Sequence, residues 1–210
     1  MTAVKTSRKD RARATRARIL GSARDLFTAH GYQATTMAEV AEHAGVAVQT
    51  VYFVFHTKTE LLEDVYTAAV LGEDQVRPPD TDWYRTATTS TNPDEVIAAL
   101  VAGMLPIARR VGPLQAILDT IADDDVRALR AEKEALRRNV AHTLVTHLAD
   151  LDALRADLTA RTGTDLLLGL TSPGLYQQMT AEHGWTHNQW ATTLTRQLRH
   201  ALLPPDTPTT

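Results

Sequence analysis

The stretch from Thr35 to Leu62 reads T-T-M-A-E-V-A-E-H-A-G-V-A-V-Q-T-V-Y-F-V-F-H-T-K-T-E-L-L. Thr36-Met37-Ala38-Glu39 has the form of a capping box, in which the Thr36 hydroxyl takes the N3 amide and Glu39 reaches back to the Thr36 amide. Met37, Val40 and Ala41 follow at i, i+3, i+4, the spacing of one buried helical stripe. Gly45 stands where that short helix must end in a left-handed residue, a conformation that only glycine enters without a Cβ penalty. A second short helix is predicted from Val46, carrying Val48, Gln49, Thr50 and Tyr52. Thr57-Lys58-Thr59-Glu60 repeats the capping-box pattern and predicts a further helix start. Helix, glycine turn, helix is the layout of a DNA-reading helix-turn-helix, here at about residues 36–55.

Upstream, Ile19, Ala23, Leu26 and Phe27 form the stripe of a first helix that ends at His30-Gly31, with Tyr32 packing back on it. Before it lies a basic run: Lys5, Arg8, Lys9, Arg11, Arg13, Arg16 and Arg18 against the single acid Asp10. Such a run is either a solvated helix face or a phosphate-contacting arm. Its position next to a helix-turn-helix favours the arm, with Arg8 and Arg11 as contact candidates. Charge is divided along the chain. Residues 1–60 carry a net +4 and the rest −7, within a total of −3. A basic head on an acidic body implies that the head alone meets a polyanion.

Composition sets the remaining bounds. The chain is 43% apolar and 22% charged over 210 residues, which is ordinary for a globular protein of one large or two small domains. Ala, Leu, Arg and Glu are frequent and β-branched alternation is scarce, so an all-α fold is expected. With no run of 18 apolar residues and no apolar signal core, neither a membrane span nor export is expected. The lack of cysteine excludes disulfides, thiolate metal sites and Cys nucleophiles, and fits a cytoplasmic location.

Beyond Lys58 a fourth helix carries Leu61, Leu62, Val65, Tyr66, Ala69 and Val70. It is continuous with the head and leads into the body, which makes it a route for movement between them. Residues 77–81 and 86–92 read as loops, with Trp83 and Tyr84 on a short helix between them. Asn92-Pro93-Asp94-Glu95 is a helix start with an Asn cap and Pro at N1. That helix is expected to kink or end at Pro106, and Gly112-Pro113 to open another. Asp123-Asp124-Asp125 reads as a helix cap rather than a metal site. A long helix over about 124–148 carries Val126, Leu129, Lys133, Leu136, Val140, Leu144 and Leu148 on one stripe. Arg127, Arg130, Arg137 and Arg138 lie on its other side, solvated or ion-paired. Apolar helices follow over about 163–183 and 187–203, and residues 204–210 are expected to be a disordered tail.

The head resembles the DNA-binding domain of TetR-family transcriptional regulators. The pattern A-x-x-L-F-x-x-x-G-Y-x-A-T-T spans Ala23–Thr36. V-A-x-x-A-G-V follows at Val40–Val46, T-V-Y-x-x-F at Thr50–Phe55 and K-x-x-L-L at Lys58–Leu62. The later half is similar, more weakly, to actinobacterial-type members through Leu170–Tyr176 and His183–Thr186. The resemblance implies a three-helix DNA-binding domain over residues 1–60 and a larger helical effector-binding and dimerisation domain over 61–203. It further implies a homodimer on a two-fold DNA operator, and repression relieved by a small-molecule effector. Carried over by position, Thr36 and Lys58 meet phosphates, Gln49 and Val48 face base edges, and Thr50 and Tyr52 hold the backbone. The chemistry agrees, since Gln pairs with adenine and Val packs on a thymine methyl. The chain departs from the family pattern at three positions. Ala47 stands where a small capping residue such as Ser is common, Gln49 where Gly is common, and Val54 where an aromatic or His is usual. Phe55 reads as core.

The dimer is expected through about 163–183 and 187–203, unless those helices only close the monomer core. Candidate effector residues are Met104, Ile107, Leu118, Ile121, Asn139, His142 and Tyr176, each of which also reads as ordinary packing. No cofactor, metal or catalytic residue is expected, because nucleophile elbow, phosphate loop and carboxylate pair are all missing. A transcriptional activator, a ligand-independent architectural DNA binder and a helical enzyme without a recognisable motif are the alternatives.

Overall fold

The computed structural model describes residues 7–205, so Lys5 and the tail beyond Pro205 lie outside it. Among the described residues the regular elements are all helical. The head contains α1 (Arg8–His30), α2 (Met37–Ala44) and α3 (Val48–Val54), and α4 (Lys58–Leu71) runs from it into the body. The body adds α5 (Asp82–Thr89), α6 (Pro93–Thr120), α7 (Asp124–Asp150), α8 (Ala160–Leu170), α9 (Pro173–Gln177) and α10 (His187–Leu202). A 3₁₀ turn at Pro78–Asp80 precedes α5, and a π turn at Gln178–Glu182 extends α9. The segment 86–92, expected as a loop, is helical as far as Thr89: Ala87 is buried, and the Thr88 and Thr89 hydroxyls donate back to the Tyr84 and Arg85 carbonyls.

Local chemistry explains the head's boundaries. Ser7 and Asp10 form a capping box on α1, and Thr36 and Glu39 form one on α2. Gly31 (φ 83°) and Gly45 (φ 63°) end these helices in conformations that a Cβ would oppose. The box expected at α4 is only half made. Thr57 accepts from the Glu60 amide at 3.0 Å, but the Glu60 carboxylate turns to His56 Nδ1 at 3.0 Å. Helix α3 starts at Val48, not Val46, and its cap Ala47 offers no side-chain bond.

Two apolar clusters fill the molecule. The first joins Ile19, Phe27, Val40, Val51, Phe55, Leu61 and Leu62 to Leu114, Leu118, Val126 and Leu129 of α6 and α7. The head is therefore braced by the body through a shared core. The second packs Ile97 and Leu100 of α6 against Leu144 and Leu148 of α7, Leu167 of α8, and Trp190, Leu194 and Leu198 of α10.

Helix α6 corrects the expected break: it runs unbroken for 28 residues through Pro106 and Pro113. An interior proline costs about 3 kcal/mol. The offset comes from packing on both sides of each proline. The Trp83 indole lies against Gly103, where a Cβ would stand 2.0 Å from it, and Gly112 fits against Gln177 and Pro173 of α9. Val96, Ile97, Leu100, Val111, Leu114 and Leu118 are buried along the same helix. By length and hydropathy alone α6 matches a membrane-crossing helix. It packs against α4, α5, α9 and α10, as the central helix of the body.

Candidate nucleic-acid interface

Helix α3 presents two faces. Val51 and Phe55 are fully buried beneath it. Gln49, Tyr52 and Phe53 recur at i, i+3 and i+4, so they share the opposite face; Gln49 is exposed, Tyr52 is 51% exposed and Phe53 83%. Val48 and Thr50 flank this face and are half-buried. Phe53 was not among the residues expected from sequence, although its spacing from Gln49 was readable. A ring left this open to water belongs to the surface rather than the core.

The helix is fixed from behind. The Arg16 guanidinium pairs with Asp64 of α4 at 2.7 Å and stands 4.7 Å above the Phe55 ring. Arg16 is thereby turned inward, away from the rest of the basic run. Arg8, Lys9, Arg11, Arg13 and Arg18 remain exposed along α1. His43 Nδ1 lies 3.1 Å from Ser22 Oγ and ties α2 to α1.

Thr36 and Lys58 are committed within the chain. The Thr36 hydroxyl accepts from the Glu39 amide at 3.2 Å and donates to the Glu39 carboxylate at 2.8 Å. The Thr36 backbone N–H holds the Glu39 carboxyl below the usual carboxylate range. A phosphate arriving at Thr36 must compete with that carboxylate. Lys58 donates to the carbonyls of Tyr32 at 3.0 Å, Thr35 at 3.1 Å and Gln33 at 3.5 Å. Its ammonium also lies 4.3 Å from the Tyr32 ring centre. Lys58 thus ties the α1–α2 connection to the start of α4. Burial raises the Tyr32 hydroxyl above its ordinary pKa, and that hydroxyl lies 3.2 Å from Thr59 Oγ1.

The seven residues proposed from sequence for an effector site do not meet at one cavity. Leu118 lines a 560 Å³ cavity between α4, α6 and α7, and Ile107 lines a 290 Å³ recess beside the end of α4. Ile121 is buried in the head-side core and Met104 packs on the body core. Tyr176 is buried there too, its hydroxyl 2.5 Å from His187 Nδ1. Asn139 and His142 are exposed, with His142 Nδ1 3.4 Å from Thr164 Oγ1 of α8. The larger cavity is lined instead by Tyr66, Gln115, Arg130, Lys133 and Arg137, among others. One signal for it was present in the sequence: Lys133 interrupts an otherwise apolar stripe. The three acids at 123–125 act as a cap, with Asp123 Oδ1 accepting from the Asp125 and Val126 amides. Among the described residues no cluster of three metal-ligating side chains occurs.

Residues 19–65 match the family model of bacterial regulatory proteins of the tetR family. No curated protein matches the sequence. Among solved structures, the chain is similar to NalD, the secondary repressor of the MexAB-OprM multidrug efflux pump in Pseudomonas aeruginosa. That likeness has a TM-score of 0.71 at 18% identity, over 92% of this chain and 98% of NalD. A SmeT–triclosan complex gives 0.67 at 19%, over 94% and 96%; SmeT represses the Stenotrophomonas maltophilia multidrug efflux pump SmeDEF. A putative transcriptional regulator from Saccharomonospora viridis, in complex with choline, gives 0.70 at 18%, over 92% and 100%. Identities this low establish a shared fold. The sequence match to the tetR-family model is confined to residues 19–65, the helix-turn-helix and its bracing helices, and the chain as a whole shares the fold of these regulators.

Proposed function

We propose that the protein binds a two-fold DNA operator as a homodimer, represses transcription there, and is released by a small molecule. The observation that carries this reading is the outward face of α3: Gln49, Tyr52 and Phe53 exposed on a helix whose other side is wholly buried. In this reading Gln49 pairs with a base edge, Val48 and Phe53 pack on thymine methyls or sugars, and Thr50 and Tyr52 hold the phosphate backbone. Arg8 and Arg11 add phosphate contacts along the exposed start of α1. Lys58 acts indirectly, by holding the loop that positions α2, and Thr36 reaches phosphate only when Glu39 yields it.

We assign DNA binding to residues 1–60 and effector binding with dimerisation to residues 61–203, with α4 shared between the two cores. The dimer surface is assigned to the helices within 163–183 and 187–203. Leu166 is 41% exposed on α8 and Gly169 opens on empty space, which favours close approach of a second helix. The outer side of α10, with Thr192, Arg196 and Gln197 exposed, supplies a polar rim. The 560 Å³ cavity against α4 is the effector chamber, of a size suited to a small ligand. The triclosan and choline complexes of the fold relatives support a small-molecule effector.

The test is selection of bound duplexes from a random DNA pool, followed by anisotropy titration and light scattering. The expected outcome is a two-fold site with half-sites about 34–36 Å, or a multiple, apart, bound by a particle of twice the 23.1 kDa chain mass. Equal affinity for the selected and random duplexes would overturn the reading.

A further inference from the structure

The 560 Å³ cavity has two chemically different sides. Tyr66 and Leu118, contributed by α4 and α6, are buried and largely apolar. The Tyr66 hydroxyl donates to Gln115 Oε1 at 3.3 Å, and Gln115 Nε2 donates to Asp119 Oδ1 at 3.0 Å. Burial pushes the Tyr66 hydroxyl up to about 12, so it stays a hydrogen-bond donor at neutral pH. The α7 side carries an excess of positive charge, with Arg127, Arg130, Lys133 and Arg137 lining the space beside the single carboxylate Glu134.

Each of these cations is bound to a neighbour. Arg130 pairs with Asp119 of α6 at 3.1 Å. Arg137 pairs with Glu134 at 2.6 Å and donates to the Leu168 carbonyl of α8 at 3.1 Å. Lys133 pairs with Glu63 of α4 at 3.0 Å and with Glu132 at 3.3 Å. The Lys133–Glu63 pair is asymmetric. The Lys133 side chain is only 14% exposed, whereas that of Glu63 is 43% exposed. Glu63 is already partly hydrated, so turning it to solvent costs little. When Glu63 leaves, Lys133 keeps only Glu132 at 3.3 Å, itself 60% exposed, so the largely buried ammonium favours a second anion in place of Glu63. The ammonium is therefore a site at which one anion exchanges for another.

Building on the ligand-responsive reading above, we propose that the effector is a small organic anion with an apolar body. It seats its anionic group on Lys133 in place of Glu63 and thereby uncouples α4 from α7. Tyr66 and Leu118 take the apolar body, while Arg137 and the Tyr66 hydroxyl stand nearby as further donors. The consequence for the head follows from the next residue of α4. Asp64 holds Arg16 of α1, and Arg16 lies on Phe55 behind α3. Release of Glu63 thus acts on the helix that braces the DNA-facing one. The ligand shifts the equilibrium by its difference in affinity between the coupled and uncoupled states.

The test uses the full chain and two dyes with the same ring system: anionic 8-anilinonaphthalene-1-sulfonate and neutral N-phenyl-1-naphthylamine. Fluorescence titration is expected to favour the sulfonate by about tenfold, a difference of about 1.4 kcal/mol. Lys133→Met is expected to remove that preference and Lys133→Arg to restore it, with circular dichroism confirming that both variants fold. Equal binding of the two dyes by the native chain, or a sulfonate preference that survives Lys133→Met, overturns the anion site. These titrations need no DNA, so they stand even if the operator reading fails. On selected DNA, Glu63→Gln and Lys133→Met are each expected to weaken binding several-fold, and the double variant no further, because both break one coupling. Additive losses, or DNA affinity indifferent to bound sulfonate dye, overturn the exchange with Glu63.

Discussion

On α3 the polar and aromatic side chains face outward: Gln49, Tyr52 and Phe53 are all exposed. On α7 the charged side chains Arg130, Lys133 and Arg137 turn onto carboxylates and a carbonyl of neighbouring helices. The first surface is the one proposed to meet DNA. The second holds parts of the chain together through the contacts that the proposed effector takes over. The two also differ in reach. The caps and turn that present α3 join residues within about one helical turn of each other, whereas the Lys133–Glu63 bond spans 70 residues. The proposed DNA-reading surface rests on local caps and turns, with the Arg16–Asp64 pair as its long-range brace. In the proposed exchange, the seam closed by distant ion pairs is the part of the molecule that a ligand rearranges.

The contrast is most severely tested at Phe55, which sits behind α3 in the core that head and body share. Phe55→Ala is expected to cost about 3–5 kcal/mol, seen in urea as a lower midpoint of a single transition. Two separated transitions would show that head and body do not unfold as one unit. Lys58 separates a structural from a DNA-contacting role. Lys58→Met is expected to lower stability by about 1.5–3 kcal/mol through loss of its carbonyl contacts, while the salt dependence of DNA binding keeps its slope. A slope smaller by about one would return Lys58 to phosphate contact. Gln49→Ala is expected to weaken specific binding by about 1–3 kcal/mol and relax preference at one base position, leaving random DNA unaffected. Equal loss on both DNAs would remove Gln49 from base reading. The smallest effect is a gain. Ala47→Ser supplies the missing cap of α3 and is expected to raise thermal stability by about 1 kcal/mol. No change in melting would mean that the α3 amides are already satisfied.

Sequence reading was strongest where structure depends on near neighbours. The Thr36–Glu39 box and the Gly45 turn were readable because each involves residues within about one turn of the same helix or turn; Phe55 was readable as core from its aromatic character, although the residues that bury it are distant. It was weakest where a residue's partner is remote. Lys58 matches a phosphate-contacting position in the family pattern, yet its ammonium is held by carbonyls 23 to 26 residues earlier. A near competitor can also mislead: Glu60 fits a capping box, yet it is drawn to His56 four residues earlier. The candidate effector residues lie on several different helices, and which of their faces meet is settled only once the chain has packed.

By itself, the sequence determined the all-helical class, the helix-turn-helix and the basic head, since propensity, caps and charge are properties of short segments. Only the tertiary structure decided that α6 continues through Pro106 and Pro113, because burial along its length and close packing at Gly103 and Gly112 outweigh the lost backbone bonds. Only the tertiary structure also brought α4, α6 and α7 around one cavity and set Lys133 against Glu63. Local spacing encodes which face of a helix is apolar; which charges then face each other depends on how those faces come together.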